Sequence, residues 1–140
     1  MALKSSPAGP GPTPTPRPAV LIVEDDRDVA LTINDVVEDS GYRALCAANG
    51  REALLLLEHE VPALMLIDLF MPVMNGVELL KVIKKSPKLA VIPRVIMTAA
   101  NDQMIGVRED VTVLYKPVDF DALTQLLQRY CEPAEPARVQ

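Results

Sequence analysis

Short runs of consecutive apolar residues, rich in β-branched types, recur along the chain, and helical segments separate them. Ala19 to Val23, Ala63 to Ile67, Val95 to Met97 with Val91-Ile92 before it, and Val111 to Tyr115 are such runs. A strand with one wet face alternates apolar and polar residues. These runs do not alternate, so they suit strands buried on both faces. Tyr42 to Cys46 reads as a further strand. After Asp26, Val29, Ile33, Val36 and Val37 recur at helical spacing, and Ser40-Gly41 stops the pattern with Gly just past the helix end. Asn49 can cap a helix from about Arg51 to His59, and Gly76 to Lys85 supplies another. Asp119 to Tyr130 is the last, with Leu123, Leu126, Leu127 and Tyr130 on one face. Five strands alternating with helices imply an α/β fold, a parallel sheet covered on both sides, because parallel neighbours need a crossover. The fourth helix is expected to be short or irregular.

Size and composition bound what such a chain does. Its 140 residues suit one domain with tails, expected as a Pro-rich disordered segment 1–18, a domain 19–131 and a short tail 132–140. Six of thirteen prolines precede Val20, and each removes a donor and fixes its φ, so that stretch reads as an extended linker rather than helix or sheet. Ala2-Leu3-Lys4-Ser5 offers no apolar signal core, and no apolar run is long enough to span a bilayer. Fourteen Lys and Arg against nineteen Asp and Glu leave a formal charge of −5, with no Trp and five Phe or Tyr, a poor basis for direct nucleic-acid binding. Two cysteines, Cys46 and Cys131, do not make a disulfide framework and point to a reducing, cytoplasmic compartment.

In parallel sheets ligands sit beyond the carboxyl ends of the strands. The first strand stops in Glu24-Asp25-Asp26, the third in Asp68, the fourth in Thr98 and the fifth in Lys116-Pro117. Neighbouring strands lie about 4.8 Å apart, so these side chains converge. Two carboxylates about 5 Å apart repel by roughly 3 kcal/mol at an effective dielectric near 20, and three converge here. A hard divalent cation offsets that, and Mg²⁺ takes carboxylates together with water and phosphate oxygens. Taken singly, each residue has a plainer reading: Asp26 as a helix N-cap, Asp68 as a loop cap, Thr98 as an ordinary strand end, Lys116 as a surface lysine. Their joint placement across four strand ends favours a site.

The sequence resembles the receiver domain of bacterial two-component response regulators. The resemblance is carried by Val20 to Asp26, Leu66 to Gly76 with its Asp68-Leu69-Phe70-Met71-Pro72 core, Val95 to Ala99, and Tyr115-Lys116-Pro117. It implies a flavodoxin-like sheet of order 2-1-3-4-5 and a signalling phosphoacceptor that catalyses only its own phosphorylation and dephosphorylation. Asp68 would accept the phosphoryl group. Asp25 would ligate Mg²⁺ directly and Glu24 through water, with Asp68 and the Phe70 backbone carbonyl completing the set. Thr98 would hydrogen-bond the phosphoryl group and Lys116 would pair with it, with Ala99 and Pro117 as auxiliary positions. The Lys116-Pro117 peptide is commonly cis in the family. A histidine kinase or phosphotransfer protein would be the donor and a protein target the output.

Two departures accompany the resemblance. Only Ala99 to Asp110 separates Thr98 from the last strand, fewer residues than the family usually has, and Val113 stands where a switch Tyr or Phe is usual. Tyr115 shares the face of Val113 by strand parity and is the candidate substitute, against the plainer reading of a packed core Tyr. The resemblance implies that Phe70 and Ala100 flank the phosphoryl position, where a bulky Phe70 should exclude attacking water. His59, the one histidine, reads as a solvated surface residue, since a carboxylate nucleophile needs no general base. Of the four leucines Leu54 to Leu57 at least one must point outward, an ordinary exposed Leu rather than a partner surface. The length leaves no room for a DNA-binding output domain, which favours a stand-alone switch. Two other functions compete: a phosphorylation-independent adaptor, and a Mg²⁺ phosphatase of the haloacid dehalogenase type. The latter wants a second Asp two residues after the first, where this chain has Phe70.

Overall fold

The computed structural model describes residues 17–99 and 112–131. In chain order the elements are β1 (Ala19–Val23), α1 (Arg27–Asp39), β2 (Arg43–Ala47), α2 (Gly50–Leu57), β3 (Leu64–Asp68), α3 (Gly76–Lys85), α4 (Pro87–Ala90), β4 (Arg94–Ala99), β5 (Thr112–Lys116) and α5 (Phe120–Cys131). All five strands are parallel, in the order β2-β1-β3-β4-β5. Every residue of β1 and β3 is buried, as unbroken apolar runs require.

Side-chain alternation splits the interior into two cores. Val20, Ile22, Leu64, Leu66, Val95, Met97 and Leu114 face Ile33 and Val37 of α1 and Leu123 and Leu127 of α5. Leu21, Val23, Met65, Ile67 and Ile96 face Ala53 and Leu57 of α2 and Leu79, Leu80 and Ile83 of α3. Among the leucines 54–57, Leu55 is the one that turns out, 55% exposed, while Leu57 is buried.

The helix starts follow local chemistry. Asp26 caps α1 by accepting from the Asp28 and Val29 amides, and Gly41 follows that helix at φ 97°, a conformation open to glycine. Asn49 caps α2, which ends at Leu57, two residues before the expected limit. Asn75 and Glu78 form a reciprocal capping box on α3, and Asp119 accepts from the amides of Asp121 and Ala122 ahead of α5. The four-residue α4 was not anticipated, although Ser86 as N-cap before Pro87 is a helix-start signal. Residues 100–111, where the short or irregular crossover helix is expected, lie outside the described residues, as does Ala100. Neither Cys46 nor Cys131 forms a disulfide, and no helix among the described residues is long and apolar enough to cross a membrane.

Candidate functional site

Strand register sets the site. Val23 pairs with Ile67, so Glu24 is level with Asp68, and Asp68 in turn pairs with Met97, one residue before Thr98. Ala99 pairs with Lys116 on the far strand. Lys116 starts two strands from Asp68, roughly 10 Å in the plane of the sheet, a gap its long side chain can span. Its Nζ lies 2.7 Å from Glu24 Oε1 and donates to Asp68 Oδ2 at 3.2 Å.

The three carboxylates of Glu24, Asp25 and Asp68 each place an oxygen within 4.8 Å of the others. Glu24 and Asp68 are buried and Asp25 is exposed, so the cluster opens on one side to solvent. Glu24 Oε2 accepts from the Asp26 amide at 3.1 Å, and Asp68 Oδ1 accepts from the Phe70 amide at 3.2 Å. Glu24 Oε1 receives no well-directed hydrogen bond, and its close partner is the Lys116 ammonium. Burial raises the Glu24 pKa to about 7, against the pull of Lys116 and the Asp26 amide and with the help of Asp68. Burial opposes the Lys116 ammonium as well, yet the carboxylates of Glu24 and Asp68 outweigh it and its pKa is raised.

The donor set fits a hard divalent cation. Three carboxylates face one ammonium, one buried oxygen lacks a directed hydrogen bond, and burial holds one carboxylate toward its neutral form. Oxygen donors without sulfur or imidazole suit Mg²⁺.

The β3–α3 loop follows directly from Asp68. Gly76 donates to the Leu69 carbonyl at 2.9 Å, and a Cβ on Gly76 would stand 2.4 Å from the Asp68 carbonyl oxygen and 2.7 Å from Leu69 Cα, so only glycine allows α3 to begin against the end of β3. Within the loop Val73 sits at φ 69°, and the Met74 amide bonds the Pro72 carbonyl at 2.8 Å across it. That is a γ-turn with a β-branched residue at its centre, a strained arrangement. Met74 then accepts from the Gly50 amide at 2.8 Å, tying the loop to the start of α2. The Phe70 side chain, two residues after Asp68, is 51% exposed.

Glu24, Asp25, Asp68 and Lys116 are thus brought together as the sequence suggested. Thr98 lies inside β4, 1% exposed, with Ala99 as that strand's last residue. The Lys116-Pro117 peptide is cis. His59 is exposed and remote, on the turn after α2. Tyr115 corrects the plainer reading: it is 53% exposed rather than packed in the core, because β5 is an edge strand and parity gives the face but not the depth. Sequence reasoning missed the strained Val73 and the contact between Gly50 and Met74, and no residue spacing announces either one.

A model of the response regulator receiver domain matches residues 20–128. An uncharacterised 14.6 kDa protein of Leptolyngbya boryana is 37% identical over 116 residues, which span 80% of this chain and 88% of that protein. Sporulation initiation phosphotransferase F of Bacillus subtilis (strain 168) is 32% identical over 116 residues, 79% of this chain and 91% of its own. The structure of the Francisella response regulator 1452 receiver domain superposes with a TM-score of 0.72 at 28% identity, covering 81% of this chain and 96% of that one. With the sheet order and the strand-end carboxylates already in place, these likenesses make the chain a member of the response regulator receiver domain family of two-component signalling.

Proposed function

We propose that the protein is a phosphorylation switch in which Asp68 accepts a phosphoryl group from a histidine of a kinase or phosphotransfer protein, and the modified surface changes affinity for a protein target. The observation that carries this reading is one ammonium, Lys116, bridging Glu24 and Asp68 at 2.7 and 3.2 Å within a three-carboxylate cluster. In the transfer an Asp68 carboxylate oxygen forms a bond to phosphorus as the phosphorus–nitrogen bond breaks, and the imidazole nitrogen leaves with that electron pair.

Lys116 can follow the charge, since the Asp68 oxygen it pairs with would become part of an acyl phosphate and the ammonium would then face phosphoryl oxygens. Thr98, next to last in the neighbouring strand, would hydrogen-bond the phosphoryl group. Asp25 and Asp68 would hold Mg²⁺ directly, Glu24 through water, and the Phe70 carbonyl would complete the set. When bound, that ion neutralises charge on the transferring group. The half-exposed Phe70 ring keeps water from the acyl phosphate, and the product is long-lived. Beside Lys116 an apolar groove of ≈ 270 Å³ between α1 and the Pro117–Phe120 loop, with Val29 and Ile33 in its wall, offers the donor protein a footing.

The test is incubation of the full chain with acetyl phosphate and Mg²⁺, read by intact mass. One phosphoryl group should add to the wild type and none to Asp68→Ala or to wild type in EDTA. Absence of modification, together with no spectral response to beryllofluoride, would overturn the reading in favour of a phosphorylation-independent adaptor.

A further inference from the structure

Charge is distributed very unevenly over the surface. Four of the six lysines, Lys81, Lys84, Lys85 and Lys88, fall within eight residues, and no Asp or Glu occurs between Glu78 and Asp102 in a chain whose formal charge is −5. All four side chains are exposed on α3 and α4, and none forms an ion pair among the described residues. Arg94, close by, behaves differently: its guanidinium donates to the Ala90 and Ile92 carbonyls and serves the fold.

Helix electrostatics explains only part of this. Lys84 and Lys85 lie in the last turn of α3, where cations suit the dipole. Lys81 is mid-helix, beyond the turn where the dipole acts, and Glu78, three residues before it, turns its carboxylate to the capping box; Lys81 stands three and four residues from Lys84 and Lys85, spacings at which like charges repel. A face kept only for solubility mixes signs. Two exposed apolar side chains, Val82 at 38% and Val91 at 79%, complete the surface.

We propose that the outer face of α3 and α4 docks an acidic segment of a protein partner, whose carboxylates meet Lys81, Lys84, Lys85 and Lys88 and whose apolar side chains cover Val82 and Val91. Charge complementarity selects this occupant. The chain is acidic elsewhere, so an acidic protein is repelled from other approaches and steered to this one. Nucleic acid fits poorly, because the face offers neither an aromatic side chain to stack on nor an arginine fork for phosphate. A bilayer would need more apolar surface than two valines. The face is also tied to the carboxylate cluster, since α3 starts at Gly76, packed against the end of β3, and runs about 15 Å to Lys85.

The test uses the full chain and a fluorescein-labelled synthetic peptide of mixed Glu, Asp and Leu, followed by anisotropy at about 50 and about 200 mM salt, conditions that separate screened from unscreened contacts. The wild type should bind, more weakly at the higher salt, and Lys81→Glu with Lys85→Glu should lose at least about tenfold in affinity, the scale of a few lost charge contacts. Arg129→Glu, on the exposed side of α5, should bind as wild type does. Amide shift changes should gather between Glu78 and Val91. Because Lys81 and Lys85 are solvent-exposed, the paired Gln variants should fold as wild type and fall between it and the Glu variants. No peptide binding, equal binding by the Glu variants, or shifts centred elsewhere would overturn the proposal. So would tighter lysine-dependent binding to duplex DNA or to vesicles of phosphatidylcholine with phosphatidylglycerol, or lysine-dependent self-association in sedimentation.

Discussion

The two ends of the same sheet treat charge in opposite ways. At the amino-terminal end Arg43 pairs with Glu60, with side chains 37% and 35% exposed, and the backbone is tidy: the Ala63 amide reaches the Ala19 carbonyl at 2.8 Å and Met65 reaches Pro93 at 3.0 Å. At the carboxyl-terminal end Lys116 pairs with Glu24 and Asp68, whose side chains are 1% and 7% exposed. Water solvates the first pair almost as well apart as together, so breaking it changes little. The second leaves desolvated carboxylates behind if its cation is removed. One end is arranged for stability, and the other gathers three carboxylates around one ammonium.

The largest contrast should come from removing the cation at each end. Lys116→Met should destabilise the metal-free chain by about 2–3 kcal/mol at pH 8, less than for a fully buried pair because the ammonium is 26% exposed. The raised pKa of Lys116 means its contribution is present throughout the neutral range and is lost only as pH rises above its ordinary value of 10.5. At pH 5 the loss should shrink, since Glu24 then carries a proton. Arg43→Met should leave the urea midpoint within error at both pH values. Equal effects of the two substitutions would erase the distinction between the ends.

Glu24→Gln should act with the opposite sign. The folded-state pKa is raised from 4.5 to about 7, so the stability Glu24 contributes is present below 4.5 and is lost as pH rises through 7. Replacing it with a neutral isostere should therefore stabilise the chain in EDTA at pH 8 by about 1–3 kcal/mol and by much less at pH 4.5. Urea unfolding at the two pH values measures this, and a gain independent of pH would show that Glu24 ionises freely in the folded protein.

Much of this contrast was legible in the sequence. Unbroken apolar runs gave both the strands and their burial, and polar residues closing four of those runs marked the carboxyl end. Period and parity are local properties, so they survive translation into structure with boundary shifts of a residue or two, as at α2 and β5, whereas Val91-Ile92, read with the fourth strand, lie in the turn after α4. Depth is not local. Parity put Tyr115 on the correct face but could not show that an edge strand leaves it half exposed, and no spacing could show that burial holds a proton on Glu24 near neutrality. The helix α4 was signalled by Ser86-Pro87 but is too short for a periodic pattern to emerge.

The mouth of the carboxyl end can be tested separately from its charges. If the Phe70 ring shields the acyl phosphate, Phe70→Asn should speed loss of the phosphoryl group by about tenfold, equivalent to about 1.4 kcal/mol of barrier, with little change in stability. Decay of phosphorylated chain after removal of the donor gives the rate, and an unchanged half-life would assign the ring no shielding role.

The smallest effect should be found in the loop that follows Asp68. Val73, 73% exposed at φ 69°, makes no buried contact to compensate for a conformation that places a β-branched side chain against its own backbone. Substitution by glycine relieves that clash but widens the unfolded ensemble, and the two terms partly cancel. Val73→Gly should therefore stabilise by no more than about 1 kcal/mol, unlike the loss expected for Val→Gly in regular structure. The backbone bonds from Met74 to Pro72 and from Gly50 to Met74 should survive, because neither involves the side chain. A destabilisation of about 1 kcal/mol or more would mean that Val73 is not strained, and the carboxyl end would then differ from the amino end in charge alone.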